Sequence, residues 1–295
     1  MLQRFLDPAT LSSINSLDLV AKTVVDGFVA GLHRSPDFGF SQEFAEYRAY
    51  TQGDDLRHVD WNVFARTDRC YLKRYRGETN SQLLLLLDTS ASMSFGSHRV
   101  NKLDYARYLT ASLSYLANQQ RDAAGLIVFD EDVKNYIAPS TRQGQLHRLL
   151  HAINESQPGT RTDFAKPFVH FQQFLHRRCI VVVISDFYDD PAKIIRVVEP
   201  LRFRGNEVIL FHILDPQEIA PDFRGPVLLL DMETQDALEV SPDYARQEYR
   251  QKIDAHIAAL GSAARGAGID YYLMNTARPL DEGLREYLTV RQGRF

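Results

Sequence analysis

Residues 83 to 96 read LLLLLDTSASMSFG: five leucines run straight into Asp88, and Thr89, Ser90 and Ser92 follow at once. A continuous apolar run of this length, bounded by polar residues, predicts a strand buried on both faces, as in the interior of a parallel sheet. In open α/β sheets ligands bind in the crevice beyond the carboxyl ends of the strands, so Asp88, Ser90 and Ser92 stand where a site is expected.

Outward from this stretch the pattern repeats. NKLDYARYLTASLSYLAN (101–118) spaces Ala106, Leu109, Leu113 and Leu116 as a helix does, with Asn101 as its cap and Asp104 three residues on. AAGLIVFD (123–130) predicts a second buried strand, VKNYI (133–137) a short edge strand and QGQLHRLLHAIN (143–154) a helix. DFAKPFVHFQQFLHRR (163–178) and PAKIIRVVEPLRF (191–203) predict helices, while CIVVVISD (179–186) and EVILFHILD (207–215) predict strands. GPVLLLDMETQDALEV (225–240) predicts an inserted hairpin with a four- or five-residue loop. A helix over about 242–265 stopped by Gly266 and Gly268, a strand IDYYLMN (269–275) and a helix DEGLREYL (281–288) complete the series. Such alternation implies right-handed crossovers and a doubly wound, mainly parallel α/β sheet over residues 81–295, of Rossmann type.

Residues 1–80 predict an accessory segment packed on that domain. SLDLVAKTVVDGFVAGL (16–32) is an amphipathic helix pattern broken by Asp18, Lys22 and Asp26, and so no bilayer span. EFAEYRAY (43–50) and RCYLKRYR (69–76) alternate as β structure around the turn-rich GDDLRHVDWNVFARTD.

The formal charge of −4, from 34 basic against 38 acidic residues, gives no general attraction to nucleic acid or anionic lipid. The first thirty residues lack a basic start followed by an apolar block, and the two cysteines, Cys70 and Cys179, read as free thiols. A cytoplasmic protein is expected.

Three segments converge on one crevice: Asp88, Ser90 and Ser92 after the first strand, Thr160 and Thr162 in PGTRTDF, and Asp186 ending CIVVVISD. Carboxylates and hydroxyls without His or Cys suit Mg²⁺ or Mn²⁺, which take octahedral oxygen coordination, and disfavour zinc. Asp-x-Ser-x-Ser after an apolar strand, a later Thr and a later strand-end Asp resemble the metal-ion-dependent adhesion site of von Willebrand factor A domains. EFAEYRAYTQGDDLRHVDW, YLKRYRGETN, LLLDTSASM, ISDFYDD, LDPQE and REYLTVRQ extend the likeness to a bacterial family, domain of unknown function 58, from about residue 31 onward. The resemblance implies a von Willebrand A-like domain with Asp88, Ser90, Ser92, Thr162 and Asp186 as metal ligands. Thr162 is chosen because it precedes Asp163 as in the family's Thr-Asp pair, with Thr160 as competitor. The resemblance also implies a MoxR-type AAA+ ATPase as partner, since such genes are common neighbours of the family.

Other patterns weigh less. The runner-up is a metal-dependent phosphate-ester hydrolase using Asp88, although nucleophilic phosphatase chemistry needs a second acid two residues on, where this chain has Ser90. A capped loop without metal gives a third reading, a degenerate scaffold. Neither G-x-x-x-x-G-K-[ST] nor G-x-G-x-x-G occurs. His147 and His151 stand four apart without the glutamate of H-E-x-x-H and read as surface residues. The basic, aromatic stretch 57–76 reads as paired strands rather than a nucleic-acid surface. Arg57, Trp61 and Arg66 are its candidate protein contacts, because Trp and Arg anchor interfaces. The leading expectation is a non-enzymatic, Mg²⁺-dependent interaction module serving an AAA+ ATPase and an unidentified client protein.

Overall fold

The computed structural model describes residues 7–14, 16–32, 44–49, 63–64, 66, 69–75, 82–159, 165–171, 178–202, 205–223, 225–230, 237–241, 244 and 248–292. The chain divides into two compact units: Met1–Phe28 together with Ser81–Phe295, and Val29–Asn80. Residues 1–28, which hold α1 (Pro8–Leu11) and most of the predicted amphipathic helix, α2 (Leu17–Leu32), thus group with the larger unit. In the smaller one, β1 (Phe44–Ala49) and β2 (Tyr71–Tyr75) pair antiparallel, with Ala49 opposite Tyr71 and an irregularity between Phe44 and Glu46.

The larger unit is an α/β sheet of six strands. They are β3 (Gln82–Asp88), β4 (Ala123–Phe129), β5 (Val133–Ser140), β6 (Cys179–Ser185), β7 (Glu207–Leu214) and, last in the chain, β10 (Asp270–Asn275). Their order across the sheet is β10-β7-β6-β3-β4-β5, every pair parallel except β4 with β5. The predicted VKNYI edge strand is therefore real and runs three residues further, to Ser140. The hairpin has β8 (Val227–Leu230) antiparallel to β9 (Ala237–Val240), and its connecting residues lie outside those described.

Helices on both faces explain the unbroken apolar strands. Successive side chains point to opposite faces, so Leu84 and Leu86 enter one layer and Leu83, Leu85 and Leu87 the other. The first layer joins Phe168 and Phe171 of α5 (Ala165–Phe171), Ile194 and Val198 of α6 (Pro191–Val198), and Leu260 and Ala264 of α8 (Arg250–Gly266). Phe129, Phe168 and Phe171 form its aromatic centre, with ring centroids 4.6 to 5.8 Å apart and two of the three pairs edge-to-face. On the other face lies α3 (Lys102–Gln119), whose Leu109, with Met274 and Phe211, lines the backbone of Gly283 in α9 (Asp281–Gln292).

The caps follow the sequence. Asn101 accepts the Asp104 N–H at 2.7 Å as N-cap of α3. The stop after α8 requires Gly268, at φ +64° with the Arg202 guanidinium where a Cβ would stand. α4 (Gln145–Asn154) buries Leu149, Leu150 and Ile153 and leaves His147 and His151 exposed. The long helix expected from about 242 is described as α8 from Arg250, the five residues 242–243 and 245–247 ahead of it lying outside the described set. The helix expected over 163–178 is described only over Ala165–Phe171.

Three short elements escaped the sequence reading. Pro8–Leu11 is a one-turn helix, Ala91–Ser94 forms one 3₁₀ turn that begins within the Asp-x-Ser-x-Ser motif, and α7 (Pro216–Ile219) begins within LDPQE. Among the described residues no helix is long and apolar enough to cross a membrane.

Candidate metal centre

The parallel register sets the site. Leu87 lies opposite Ile184, so Asp88 at the end of β3 stands beside Ser185 at the end of β6. Asp88 is 0% exposed; its Oδ1 accepts the Ser90 N–H at 2.8 Å and its Oδ2 accepts the Ser185 hydroxyl at 2.6 Å. Burial first, and then the negative charge of Asp186, push the Asp88 carboxyl from the ordinary 3.8 up to about 7, against the hydrogen bonds from Ser185 and Ser90. A buried carboxylate that gives up its proton reluctantly is one that a metal cation would stabilise in its place.

Ser90 Oγ and Ser92 Oγ stand 3.1 Å apart across the 3₁₀ turn. Thr89, between strand and turn, is tied to the next strand: its N–H and hydroxyl both donate to the Phe129 carbonyl, at 2.8 and 3.0 Å. The Thr89 carbonyl accepts the Gly159 N–H at 2.6 Å. That bond brings the start of PGTRTDF to the Asp-x-Ser-x-Ser loop, and a Cβ at Gly159 would collide with the Asp130 carboxylate. A hollow of about 480 Å³ opens beside this junction, lined by Thr89, Asp130, Lys134 and Gly159 among others.

Asp186 is aimed by an unusual turn. Phe187, next in the chain, has φ +48°, a left-handed conformation uncommon for a residue other than glycine. Its N–H donates to Ser185 Oγ at 3.1 Å, its carbonyl accepts from His256 Nε2 at 3.1 Å, and its buried ring meets His212 edge-on at 5.7 Å. Burial, and then His256, push His212 down to about 3, so its ring is neutral; its Nδ1 pairs with the Tyr271 hydroxyl at 2.7 Å.

The Asp186 carboxylate meets a cation supplied by the chain. Lys102 Nζ donates to Asp186 Oδ2 and to Glu218 Oε1, both at 2.7 Å, and the lysine side chain is 0% exposed. Burial alone would favour the neutral amine, but Asp186 and Glu218 outweigh it and hold Lys102 above the ordinary lysine value. Burial pushes Glu218 up in spite of its lysine partner. Tyr188 and Phe95 place their rings 4.8 and 5.9 Å from the ammonium. Glu218 closes a capping box with Asp215: Asp215 accepts the Gln217 N–H at 2.8 Å and the Ser97 N–H at 2.9 Å, and Glu218 Oε2 accepts the Asp215 N–H at 2.8 Å.

The structure therefore brings Asp88, Ser90, Ser92 and Asp186 to one end of the sheet. Thr160 and Thr162 lie outside the described residues, as do Arg57 and Trp61; Arg66 is described and exposed. Sequence reasoning missed Lys102, Glu218, Asp215 and Ser185. A lysine in the first turn of a helix that starts behind a strand-end carboxylate was the available signal.

The donor set suits a hard cation. Among the described residues no three His, Cys, Asp or Glu side chains cluster as a metal site, so a metal would rest on carboxylate and hydroxyl oxygens. Two oxygens bound to one Mg²⁺ at right angles lie about 3 Å apart, close to the Ser90–Ser92 separation. The Asp88 carboxylate, which can accept about four hydrogen bonds, takes them from Ser185 and from the backbone and side chain of Ser90, and so keeps an acceptor position for an ion. Asp88, Ser90 and Ser92 would hold the ion directly, and Asp186 would act as a carboxylate already shared with Lys102.

A family model described as protein of unknown function DUF58 matches residues 46–259. An uncharacterized protein of Mycobacterium bovis is 28% identical over 276 residues, covering 92% of this chain and 86% of the relative, and one from Mycobacterium tuberculosis gives the same figures. Among solved structures, an aerotolerance-related membrane protein from Bacteroides fragilis is similar at TM-score 0.49 and 14% identity, over 70% of this chain and 97% of that one. The conserved hypothetical protein BatB from Bacteroides thetaiotaomicron is similar at TM-score 0.47 and 12% identity, over 71% and 97%. The VWA domain of SpRpn10 is similar at TM-score 0.40 and 11% identity, over 70% and 94%. With the family model spanning most of its length, this chain belongs to the DUF58 family.

Proposed function

We propose that this protein is a non-enzymatic interaction module that binds partner proteins through a Mg²⁺ or Mn²⁺ ion at the end of β3. The observation that carries the reading is the buried Asp88 with the Ser90 and Ser92 hydroxyls 3.1 Å apart beside it. In such a site the protein supplies too little charge to hold the ion firmly, and an acidic side chain of the partner completes the shell. Partner and metal then bind cooperatively. An AAA+ ATPase of MoxR type is proposed as one partner only because genes for such ATPases are common neighbours of the family that the sequence resembles, with a client protein as the other partner, in the cytoplasm.

A second reading, a scaffold that works without metal, is favoured by the Lys102 ammonium already seated on Asp186. One experiment separates the two. Calorimetric titration with Mn²⁺ and Mg²⁺, and capture of the purified ATPase with and without chelator, are compared for wild type, Ser90→Ala and Asp88→Ala. The metal reading requires Mn²⁺ to bind more tightly than Mg²⁺ and capture to fall in the order wild type, Ser90→Ala, Asp88→Ala. Capture that survives both chelator and Asp88→Ala leaves the metal-free scaffold.

A further inference from the structure

We infer that Lys102 sets the affinity of the β3-end site for a divalent cation by serving as its resident counter-charge; the inference rests on the metal reading above. Three carboxyl groups, those of Asp88, Asp186 and Glu218, belong to this cluster against one ammonium, and with all three ionised, as a bound divalent cation requires, the net formal charge is minus two. Without Lys102 it would be minus three. The ammonium is sealed from solvent, touches Asp186 and Glu218 at 2.7 Å each and lies against the Tyr188 ring, so water screens its field poorly.

Two consequences follow from this placement. Asp186, which the adhesion-type pattern assigns to the metal, spends one oxygen on Lys102 and is aimed before any metal arrives. An incoming divalent cation meets a like charge already buried in the site, and its affinity is held down until a further negative charge arrives. A partner's carboxylate is the group that supplies it. Lys102 in this role is a positioning and tuning residue, touching the ligand carboxylate rather than the metal.

A purely mechanical role for Lys102, pinning α3 to β6 and α7, would change stability but not the direction of metal affinity. The test is calorimetric Mn²⁺ titration of the full chain as wild type, Lys102→Met, Lys102→Arg and Glu218→Gln, each paired with the Mn²⁺-induced rise in melting temperature. Lys102→Met removes the resident charge and is expected to tighten Mn²⁺ binding at least tenfold. Glu218→Gln keeps the shape, removes one negative charge and is expected to weaken it several-fold. Lys102→Arg keeps the charge and is expected to stay within about threefold of wild type.

Opposite movement of Lys102→Met and Glu218→Gln supports the inference. If Lys102→Met does not fold, Glu218→Gln weakening with Lys102→Arg unchanged supports it equally. Wild-type Mn²⁺ binding that none of the three variants alters overturns the inference and leaves the metal site standing. Binding that appears only in Lys102→Met supports the counter-charge role and overturns the wild-type metal reading. Absence of Mn²⁺ binding in every variant overturns both.

Discussion

Ser185 Oγ donates to Asp88 Oδ2 at 2.6 Å, joining the ends of two adjacent parallel strands through a hydrogen bond that neither sequence stretch alone contains. The same hydroxyl oxygen accepts the Phe187 N–H, so one serine fixes both the Asp88 carboxylate and the turn that carries Asp186.

Asp88 makes metal-free stability depend on pH. Its carboxyl is raised from 3.8 in the unfolded chain to about 7 in the fold, so the folded state binds this proton more tightly. Its contribution is therefore full below the unfolded value and is lost as pH rises through about 7. The loss is on the order of 4 kcal/mol at most. In chelator, Asp88→Asn should be more stable than wild type at pH 8 by up to that amount, with the gap closing toward pH 4. Denaturant melts across this range test it; parallel curves for the two proteins would contradict it. Saturating Mn²⁺ should reverse the order at pH 8, because only the aspartate brings a charge to the ion.

Asp215 is fully buried at the end of β7 and accepts hydrogen bonds from Gln217 and from both the N–H and hydroxyl of Ser97. Asp215→Ala removes an N-cap and leaves the Ser97 donors unpaired, a cost of about 2–4 kcal/mol. Because Glu218 belongs to the same capping box, Mn²⁺ affinity should shift as well. Chemical denaturation and calorimetry on the variant check both effects.

Gly159→Ala places a methyl group against the Asp130 carboxylate. Either Asp130 moves or the Gly159–Thr89 hydrogen bond lengthens, with a loss of about 1–3 kcal/mol. If the loop after Gly159 belongs to the site, Mn²⁺ binding should weaken too, whereas Gly266→Ala, at a glycine of ordinary φ with nothing within 4 Å, should leave it unchanged.

Phe129→Ala empties the centre of the Phe129–Phe168–Phe171 cluster and should destabilise the unit by about 3–5 kcal/mol. A change below 1 kcal/mol in a denaturant melt would show that this layer is loosely packed.

The strands were legible in the sequence because a sheet covered on both faces demands unbroken apolar runs, and LLLLL, LIVF, CIVVVI and EVILF meet that demand. The order of those strands was not, since identical aliphatic surfaces carry no pairing information. Asp88, Ser90, Ser92 and Asp186 were legible because oxygen-rich strand ends stand out against leucine and valine. Lys102 was not: in NKLDYARYL it reads as an exposed residue in the first turn of an amphipathic helix. Only the sheet order, which sets β6 and β7 side by side, brings Asp186 and Glu218 within 2.7 Å of its ammonium. The short α7 was hidden for a related reason. Its four residues are too few for periodicity, and their helix rests on the Asp215–Glu218 capping box.

The left-handed turn at Phe187 gives the site an unusual dependence. A glycine there would adopt the same backbone at less cost, but it would have no ring to lodge against His212 in the interior. The direction of Asp186 is thus inherited from the hydrophobic layer beneath it, not from the loop in which it sits. Drift in that layer during evolution would retune the crevice without touching a crevice residue, so, on the interaction role proposed above, substitutions at His212 or His256 should appear in selection experiments as changes in partner choice.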